Sequence, residues 1–219
     1  MPPTTPRTRQ RRKDARPAEL TAAALALFVE RGYAATRLDD VAAHAGVSKG
    51  TLYLYFKNKE ELFKAVILEG VVPVLEAGEA LLEKFRDDPE RLLREIMLNW
   101  WQLVGESPLG GIPKLMIAEA RNFPEVTQFY FDQVVTRSQK LIGAALELGV
   151  ARGVFRPVDI GVQMHVGFAP LMMMALWKHS FPDCAFSNEA TSRRYIEDSL
   201  SLIFQGLCLP PKKKKATHA

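Results

Sequence analysis

Several kinds of residue on which enzymes and secreted proteins depend are scarce in this sequence. The 219 residues include two cysteines, Cys184 and Cys208, so a disulfide framework is excluded and a reducing compartment is predicted. The chain has four histidines: His44, His165, His179 and His218. They are too scattered to have metal-ligand spacing, so we expect neither a metal nor any other cofactor.

Sequence motifs of enzyme active sites are missing as well. The chain has no GxxxxGKS or GxxxxGKT phosphate loop, no HExxH zinc motif and no CxxC pair. Residues 105–109, GESPL, lack the final glycine of the GxSxG nucleophile elbow. We therefore predict that the protein is not an enzyme and has no catalytic residues.

Long apolar runs are limited to a single stretch. The N-terminal sequence MPPTTPRTRQRRK has no apolar run after its basic residues, so no secretory signal is predicted. Residues 160–177 carry no formal charge but include Gln163, His165 and Pro170, whereas a span needs about 20 predominantly apolar residues. We interpret this stretch as a helix of a cytoplasmic protein, buried on most sides; a membrane-bound protein is the least favoured alternative.

Charge is distributed unevenly along the chain. Residues 1–65 carry 12 basic and 7 acidic side chains, net +5, and residues 66–211 carry 13 basic and 18 acidic, net −5. The four lysines at 212–215 bring the formal total to +4. This asymmetry favours a polyanionic partner for one part of the chain.

Helical periodicity runs through the chain from Pro17 onward, and no sustained alternation typical of strands appears, so an all-α fold is predicted. Residues 1–16, rich in Pro, Thr and Arg, predict a flexible basic arm. Gly70 and Pro73 predict a kink in the long fourth helix, since a proline inside a helix removes a backbone donor. The helices predicted from the fourth onward span 59–85, 89–104, 112–120, 125–151, 158–180 and 188–207.

Residues that favour helix ends mark the boundaries of the first helices. Gly32 suits the left-handed position that ends the first helix. Ser48 can cap a third helix that continues to about Phe56. Asn58, with Glu61 three residues later, predicts a variant capping box at the start of the fourth helix.

Residues 38–55 have the spacing of a helix-turn-helix. The small Ala42 lets two helices cross closely, and Gly46 accepts the positive φ of a tight turn. Leu52 is placed to anchor the second helix against the first. The N-terminus of that second helix is therefore free to enter the major groove of DNA.

The residues expected to contact DNA are Thr36, Arg37, Ser48, Lys49, Gly50, Thr51, Tyr53, Tyr55 and Lys59. Lys49 can donate to guanine or phosphate, Gly50 permits close backbone approach, and Thr51 can contact a thymine methyl group. The two tyrosines and Lys59 are expected to hold phosphates, which fixes register without reading sequence. Thr36 is expected to serve both as a helix cap and as a phosphate donor.

The run at 36–63, TRLDDVAAHAGVSKGTLYLYFKNKEELF, strongly resembles the DNA-binding domain of the TetR family of bacterial regulators. The match extends back through LALF at 25–28 and GY at 32–33, and its AGVSKGTLYxYFxxKEEL part is far more specific than helix-turn-helix spacing alone. The resemblance implies a homodimer that binds a palindromic operator, with a small-molecule effector pocket among the C-terminal helices. RNFPEV at 121–126 is similar to a loop of one broad subgroup.

The resemblance also implies a division of the chain. The DNA-binding domain is a three-helix unit over 17–65, preceded by the basic arm. Residues 66–208, which we call the body, form a helical domain for effector binding and dimerisation, and 209–219 form a basic tail. The arm is either a solubilising segment or a contact to the minor groove or phosphates beside the operator; the tail is expected to be only solubilising.

In the TetR family the last two helices pair with those of a second subunit in a four-helix bundle, which here corresponds to 158–180 and 188–207. The residues expected at this dimer interface are Ile196, Leu200, Ile203, Phe204 and Leu207. One face of 158–180 is expected to pack on the partner, and another to close the core or a pocket.

The effector pocket is expected between the helices at 89–104, 112–120, 125–151 and 158–180. Its candidate lining residues are Met97, Trp100, Trp101, Met116, Phe123, Phe129, Met164, Phe168, Met172 and Trp177. Methionine adapts to varied shapes and so suits an apolar effector. The acidic body favours a neutral or cationic one, and His165 is expected to be a core histidine.

Together these features predict a sequence-specific DNA-binding transcriptional regulator, a repressor that a small apolar effector releases from a palindromic operator. The effector would shift an equilibrium between two spacings of the DNA-binding domains, with the fourth helix as the link. The alternative is an effector-independent DNA-binding structural or protein-recruiting factor of the same fold.

Overall fold

The computed structural model describes the backbone of residues 7–210, with side chains from Arg16 onward, and this part of the chain forms nine helices. Residues 1–6 and 211–219, which include the lysines at 212–215, lie outside it. Within the described residues no strand forms, and one isolated bridge joins Phe155 to Cys208. The prediction of an all-α fold is confirmed.

The first three helices are α1 (Arg7–Arg31), α2 (Leu38–His44) and α3 (Lys49–Tyr53). The helix predicted to begin at Pro17 begins at Arg7, and Pro17 lies inside it. The preceding residues are mostly Arg, Gln, Lys and Ala, which favour helix, so the periodic apolar residues alone marked its start too late. Helix α3 ends at Tyr53, earlier than the predicted Phe56.

Helix α4 spans 59–84 and begins at the predicted cap. The Asn58 side chain accepts a hydrogen bond from the Glu61 N–H at 2.8 Å. In return the Glu61 carboxylate accepts from the Lys57 N–H at 2.9 Å, one residue before the cap itself. The capping box is therefore present in the variant form, and it fixes where α4 leaves the DNA-binding domain.

The middle of α4 is π-helical. Lys59–Val66 and Val72–Lys84 are α-helical, and Ile67–Val71 between them is a π segment. Pro73 lies two residues after this segment, and a proline ring collides with the carbonyl four residues before it, here that of Glu69. The wider π turn accommodates this collision, so the predicted kink takes the form of an inserted residue.

The remaining helices lie close to their predicted ranges. They are α5 over 89–105, α6 (Gly111–Glu119), α7 over 124–151, α8 (Ile160–Ser180) and α9 (Glu189–Leu207). Two of them also contain π segments, Trp101–Gly105 at the end of α5 and Phe131–Val135 within α7. The sequence analysis did not anticipate either.

Two hydrophobic cores hold these helices together. The first combines residues of α1 to α4, such as Phe28 and Phe63, with Ile112 and Met116 of α6. The second joins α5, α7, α8 and α9 around Leu146. Because the first core extends from the DNA-binding domain into the body, no flexible linker separates the two.

The residues predicted for the dimer interface lie inside the chain. Ile196, Leu200, Phe204 and Leu207 of α9 are all buried in the second core, and Ile203 packs against it. The interface assignment of this stripe is therefore corrected. A helix in any packed assembly needs one apolar face, and its periodicity does not tell whether the neighbour belongs to the same chain.

Helix α8 is the apolar surface helix instead. Only Leu171, Met174 and Ala175 of its 21 residues are buried, so the prediction that it is buried on most sides is wrong for the single chain. Its exposed apolar residues are Val162, Val166, Ala169, Met173 and Trp177. By length and composition alone α8 could cross a membrane, a test that the core helix of a soluble protein also passes.

Candidate DNA-binding surface and effector cavity

The turn between α2 and α3 has the geometry that the helix-turn-helix spacing predicts. Gly46 has φ of 66°, and its N–H donates to the Ala43 carbonyl at 3.1 Å. The Val47 N–H donates to the Ala42 carbonyl at 2.9 Å, which completes a Schellman motif. Leu52, completely buried, anchors α3 against the first core. The turn thereby fixes the angle at which α3 projects.

The N-terminus of α3 is the exposed part of this unit. Ser48, Lys49 and Gly50 are exposed and Thr51 is half-buried. The Ser48 side chain accepts the Thr51 N–H at 3.1 Å and so caps the helix. A β-carbon placed on Gly50 would meet no atom of the protein closer than 3.9 Å, so the fold itself does not require glycine here. Only the close approach of DNA would require it.

Lys49 already has a partner within the chain. Its ammonium group donates to Asp39 of α2 at 2.9 Å, and this hydrogen bond and the Asp39 charge raise the Lys49 pKa above its ordinary value. The same ammonium lies 5.8 Å from the centroid of the Tyr53 ring, and Tyr53 is 43% exposed. Lys49 therefore remains charged and sits at the rim of the surface, held by a carboxylate that DNA phosphates would repel.

Thr36 does not cap a helix. Its side chain is buried, and its hydroxyl donates to the Gly32 carbonyl at 2.7 Å near the end of α1. The residue at the N-cap of α2 is Arg37, whose exposed side chain makes no cap hydrogen bond. The predicted cap is wrong, and burial leaves the Thr36 hydroxyl no surface on which to meet a phosphate.

Lys59 is likewise engaged within the chain. Its ammonium donates to the carbonyls of Tyr33 at 2.6 Å and Ala34 at 3.0 Å and lies 4.6 Å from the Tyr33 ring centroid. Burial lowers its pKa. These contacts hold the start of α4 against the residues that follow α1. The ammonium group that was expected to bind a phosphate is therefore already hydrogen-bonded within the chain. Tyr55 is half-buried and packs against the first core.

Leu54 is also part of this surface, although it was not among the predicted contact residues. It follows α3 directly and is 83% exposed, the highest value among the large exposed hydrophobic residues described. An aliphatic side chain on a groove-facing helix can contact thymine methyl groups. Leu54 stands between Tyr53 and Tyr55, and an apolar residue between two aromatic residues is more often expected in a hydrophobic core than on a surface.

A cavity of about 340 Å³ lies in the body between α4, α5, α6, α7 and α8. The residues that line it are Val71, Trp100, Val104, Leu109, Ile112, Pro113, Tyr130, Val134, Val135, Ser138, Gln139, Ile142, Met164, His165, Phe168, Ala169 and Met172. The volume is at the lower end of the range usual for ligand pockets, about 300–1,000 Å³. None of these side chains is Asp, Glu, Lys or Arg.

Of the ten predicted lining residues, four line this cavity: Trp100, Met164, Phe168 and Met172. The other six do not: Met97, Trp101, Met116, Phe123, Phe129 and Trp177. The first three of these six are buried in the cores, Phe123 and Phe129 pack against the first core, and Trp177 is at the surface. Core packing and ligand binding use the same types of side chain. Residue type alone therefore could not separate the four residues that line the cavity from the six that do not.

His165 is the opposite case. It was expected to be a core histidine, yet it is exposed and lines the cavity beside Ala169, which is also exposed. Val166 lies about 100° around the helix from His165, since an α-helix has 3.6 residues per turn. The wall of the cavity therefore adjoins the exposed apolar face of α8.

Each of the three π segments contributes to the cavity wall. Val71 ends the π segment of α4, Val104 belongs to that of α5, and Val134 and Val135 belong to that of α7. π segments occur often at functional sites because an extra residue widens the turn. Helix α4 thus begins in the DNA-binding domain and lines the cavity with its π segment.

The turn between α6 and α7 also connects the body to the DNA-binding domain. The Glu119 carboxylate at the end of α6 accepts the Ala34 N–H at 3.1 Å. Ile112 and Pro113 at the other end of α6 line the cavity. The cavity is therefore in contact with two elements that reach the DNA-binding domain, α4 and α6.

Comparison with known proteins agrees with this geometry. A family model described as bacterial regulatory proteins of the tetR family matches residues 20–66. A second, described as the C-terminal domain of AefR-like transcriptional repressors, matches residues 91–204, which is just over half of the chain. The transcriptional repressor KstR2 of Mycolicibacterium smegmatis is 28% identical over 206 residues, which cover 94% of this chain and 97% of that protein.

Solved structures show the same arrangement. The TetR family transcriptional regulator PfmR from Thermus thermophilus superposes with a TM-score of 0.68 at 30% identity, covering 85% of this chain and 97% of that one. The ketosteroid transcriptional regulator KstR2 of Mycobacterium tuberculosis shares the fold, with a TM-score of 0.66 at 20% identity and coverage of 89% and 96%. The chain belongs to the TetR family and is a DNA-binding transcriptional regulator.

Proposed function

We propose that this protein is a cytoplasmic homodimeric repressor that a small, mainly apolar effector releases from a palindromic operator. The exposed start of α3 and the residues Arg37, Ser48, Lys49, Gly50, Thr51 and Tyr53 form the proposed DNA contact. The effector occupies the cavity in the body. The cavity disfavours the alternative of an effector-independent DNA-binding factor, which needs no such space.

The observation that carries this proposal is the position of the π segment of α4. It contributes Val71 to the cavity wall, and the same helix begins at Asn58 in the DNA-binding domain. Glu69 within the segment accepts a hydrogen bond from Thr21 of α1 at 2.7 Å. A ligand that displaces this wall therefore moves α4. The DNA-binding domain moves with it, because it contains the start of α4 and is hydrogen-bonded to Glu69 through Thr21.

The dimer is proposed to form on α8. Its apolar face, Val162, Val166, Ala169, Met173 and Trp177, is exposed in the single chain, and Leu202 of α9 is 70% exposed. Large exposed apolar patches mark interaction sites in soluble proteins. A twofold axis at this face would set two α3 helices at a fixed spacing, as half-sites one helical turn apart, about 34–36 Å, require.

Selection of bound sequences from random duplex DNA tests the DNA-binding part. The expected result is an inverted repeat, bound by one dimer, whose affinity falls steeply with salt. A sequence without twofold symmetry, or binding that no sequence competes for, would contradict the proposal.

Deletion of Leu68 tests the coupling. A π segment contains one residue more than an α-helix needs, so its removal restores a regular helix, provided that Pro73→Ala is introduced in this variant and in its control to avoid the collision of the proline ring with the Glu69 carbonyl. The deletion variant should keep its fold and operator affinity while the ligand-induced loss of operator affinity falls about tenfold. Leu68→Ala, which removes the exposed side chain but keeps the extra residue, is the control. Equal release from both variants would show that the π segment does not couple the sites.

A further inference from the structure

The polar groups of the cavity show which chemistry its ligand needs. Four polar side chains line it: Tyr130, Ser138, Gln139 and His165. None of the four forms a side-chain hydrogen bond with another described residue, so all remain available to a ligand. The other lining residues are apolar, including Trp100 and Phe168, whose rings meet edge-on at 4.8 Å.

Tyr130 is half-buried, and it is the polar lining residue whose environment the structure defines best. It is the last residue before the π segment of α7, and its ring packs against the first core. Burial is what raises its pKa, to about 12, with no charged or hydrogen-bonding neighbour contributing. No described side-chain nitrogen or oxygen is fully buried without a partner, so the Tyr130 hydroxyl is not sealed off, and Tyr130 is one of the residues that line the cavity.

This combination selects among ligands. A neutral phenol donates one hydrogen bond to a carbonyl, ether or hydroxyl oxygen. A carboxylate or phosphate within the cavity would lose water without meeting a lysine or arginine, and an ammonium group would meet no carboxylate. A plain hydrocarbon would leave the hydroxyl without a partner, which is unfavourable for a group removed from water.

We propose that the effector is an uncharged lipophilic molecule that carries a hydrogen-bond acceptor, and that the Tyr130 hydroxyl donates to this acceptor. The inference rests on the proposed function in taking the cavity as the effector site. It goes further by assigning the chemical class of the ligand and the residue that recognises it.

Four ten-carbon probes test the class: 2-decanone, decane, decanoate and decylammonium. Binding is measured with the DNA-free protein by calorimetry and by thermal stabilisation, and Trp100 in the cavity wall provides a fluorescence signal. 2-Decanone should bind at least tenfold more tightly than the other three. Binding of decanoate or decylammonium as tight as that of the ketone, or failure of the ketone to bind, would overturn the assignment.

Tyr130→Phe tests the residue. It should weaken 2-decanone binding about tenfold, roughly what the loss of one hydrogen bond costs, and tighten decane binding, because no hydroxyl is then left without a partner. Tyr195→Phe is the matched control, because Tyr195 lies outside the cavity and packs against Phe186. An unchanged ratio of ketone to alkane affinity in Tyr130→Phe would overturn the role of the hydroxyl, whether or not both affinities fall.

Operator release is measured separately, with the selected operator and 2-decanone. Binding of the ketone without release would contradict the proposed repressor function while leaving the ligand class intact. Release by decanoate alone would contradict the ligand class while leaving the repressor function intact. The two proposals therefore fail in distinguishable ways.

Discussion

The ring of Phe123 in the turn before α7 meets the ring of Tyr33 at the end of α1 edge-on, with 4.7 Å between their centroids and 72° between their planes. Tyr33 is buried and also contacts Phe63 of α4 at 5.6 Å. Through these three rings the body, the first helix and the fourth helix meet at one point. The contact belongs to the first core, which is closely packed, so a displacement of Phe123 also displaces Tyr33, and the reverse.

Phe123→Ala should uncouple the body from the DNA-binding domain at this point. The half-buried ring contributes packing, so we expect a loss of stability of about 2 kcal/mol, with operator affinity retained and ligand-induced release reduced severalfold. Thermal denaturation and operator binding with and without 2-decanone measure the two effects. Phe131→Ala is the control, because Phe131 is 48% exposed. Undiminished release in Phe123→Ala would show that this ring contact does not couple the body to the DNA-binding domain.

The ion pair between Lys49 and Asp39 predicts opposite effects of its two members on DNA binding. Lys49→Ala should weaken binding and reduce the salt slope by about 1, as loss of one phosphate contact does. Asp39→Asn should tighten binding about threefold at low salt, because a negative charge at the surface is removed.

The control for the charge change is Asp183→Asn, an exposed site in the loop before α9. Fluorescence anisotropy of labelled operator at several salt concentrations measures both variants. If Asp39→Asn weakens binding, the carboxylate positions Lys49 for its contact rather than competing with DNA for it.

Val166→Asp tests the assignment of the dimer interface to α8. A carboxylate in the middle of an apolar interface loses its water without gaining a partner, so the dimer should weaken about 100-fold and operator binding should fail. Analytical ultracentrifugation measures the association. Ala77→Asp, an equivalent change at an exposed position of α4, should leave the dimer intact. A dimer that survives Val166→Asp would place the interface elsewhere.

Ionisation of Tyr130 predicts a loss of stability at alkaline pH. Its pKa is raised from 10.0 to about 12 in the folded chain, which therefore holds the proton more tightly than the unfolded chain does. This contribution is complete below pH 10 and disappears as the pH rises toward 12. Between pH 9 and pH 11 the free energy of unfolding should therefore fall about 1 kcal/mol less in Tyr130→Phe than in the unmodified protein.

Urea denaturation at pH 9 and pH 11 of both proteins measures this difference. Tyr33, whose pKa burial also raises to about 12, contributes to the loss that remains in Tyr130→Phe. An identical pH dependence of the two proteins would show that the Tyr130 hydroxyl is solvated in the folded chain.

Local features of the fold were predictable because local chemistry decides them. The positive φ of Gly32 and Gly46 and the caps at Ser48 and Asn58 follow from the conformations those residues favour, and all four are confirmed. Helix α1 was placed too late because periodicity needs buried residues, whereas a helix can continue beyond them.

Features that depend on distant neighbours were not predictable. The apolar stripe with Leu200 proved to be internal, whereas Val166 on α8 faces outward, and both have the same helical spacing. The π segments leave no common signature in residue type: Ile67–Val71 and Trp101–Gly105 each come shortly before a proline, but Phe131–Val135 does not. Tyr130 was not predicted as a cavity residue, because the predicted lining consisted of methionine, tryptophan and phenylalanine.

Ala169 belongs at once to the wall of the cavity and to the outward face of α8. A larger residue there would reduce the space for a ligand and also raise a ridge on the surface proposed to meet the partner subunit. Evolution of a new ligand preference through this position is therefore constrained by the need to keep the subunits matched. The part of the wall built from Ile142, Ser138 and Val104 belongs to α7 and α5 and not to α8, so it is free of that constraint, and divergence among relatives should concentrate there.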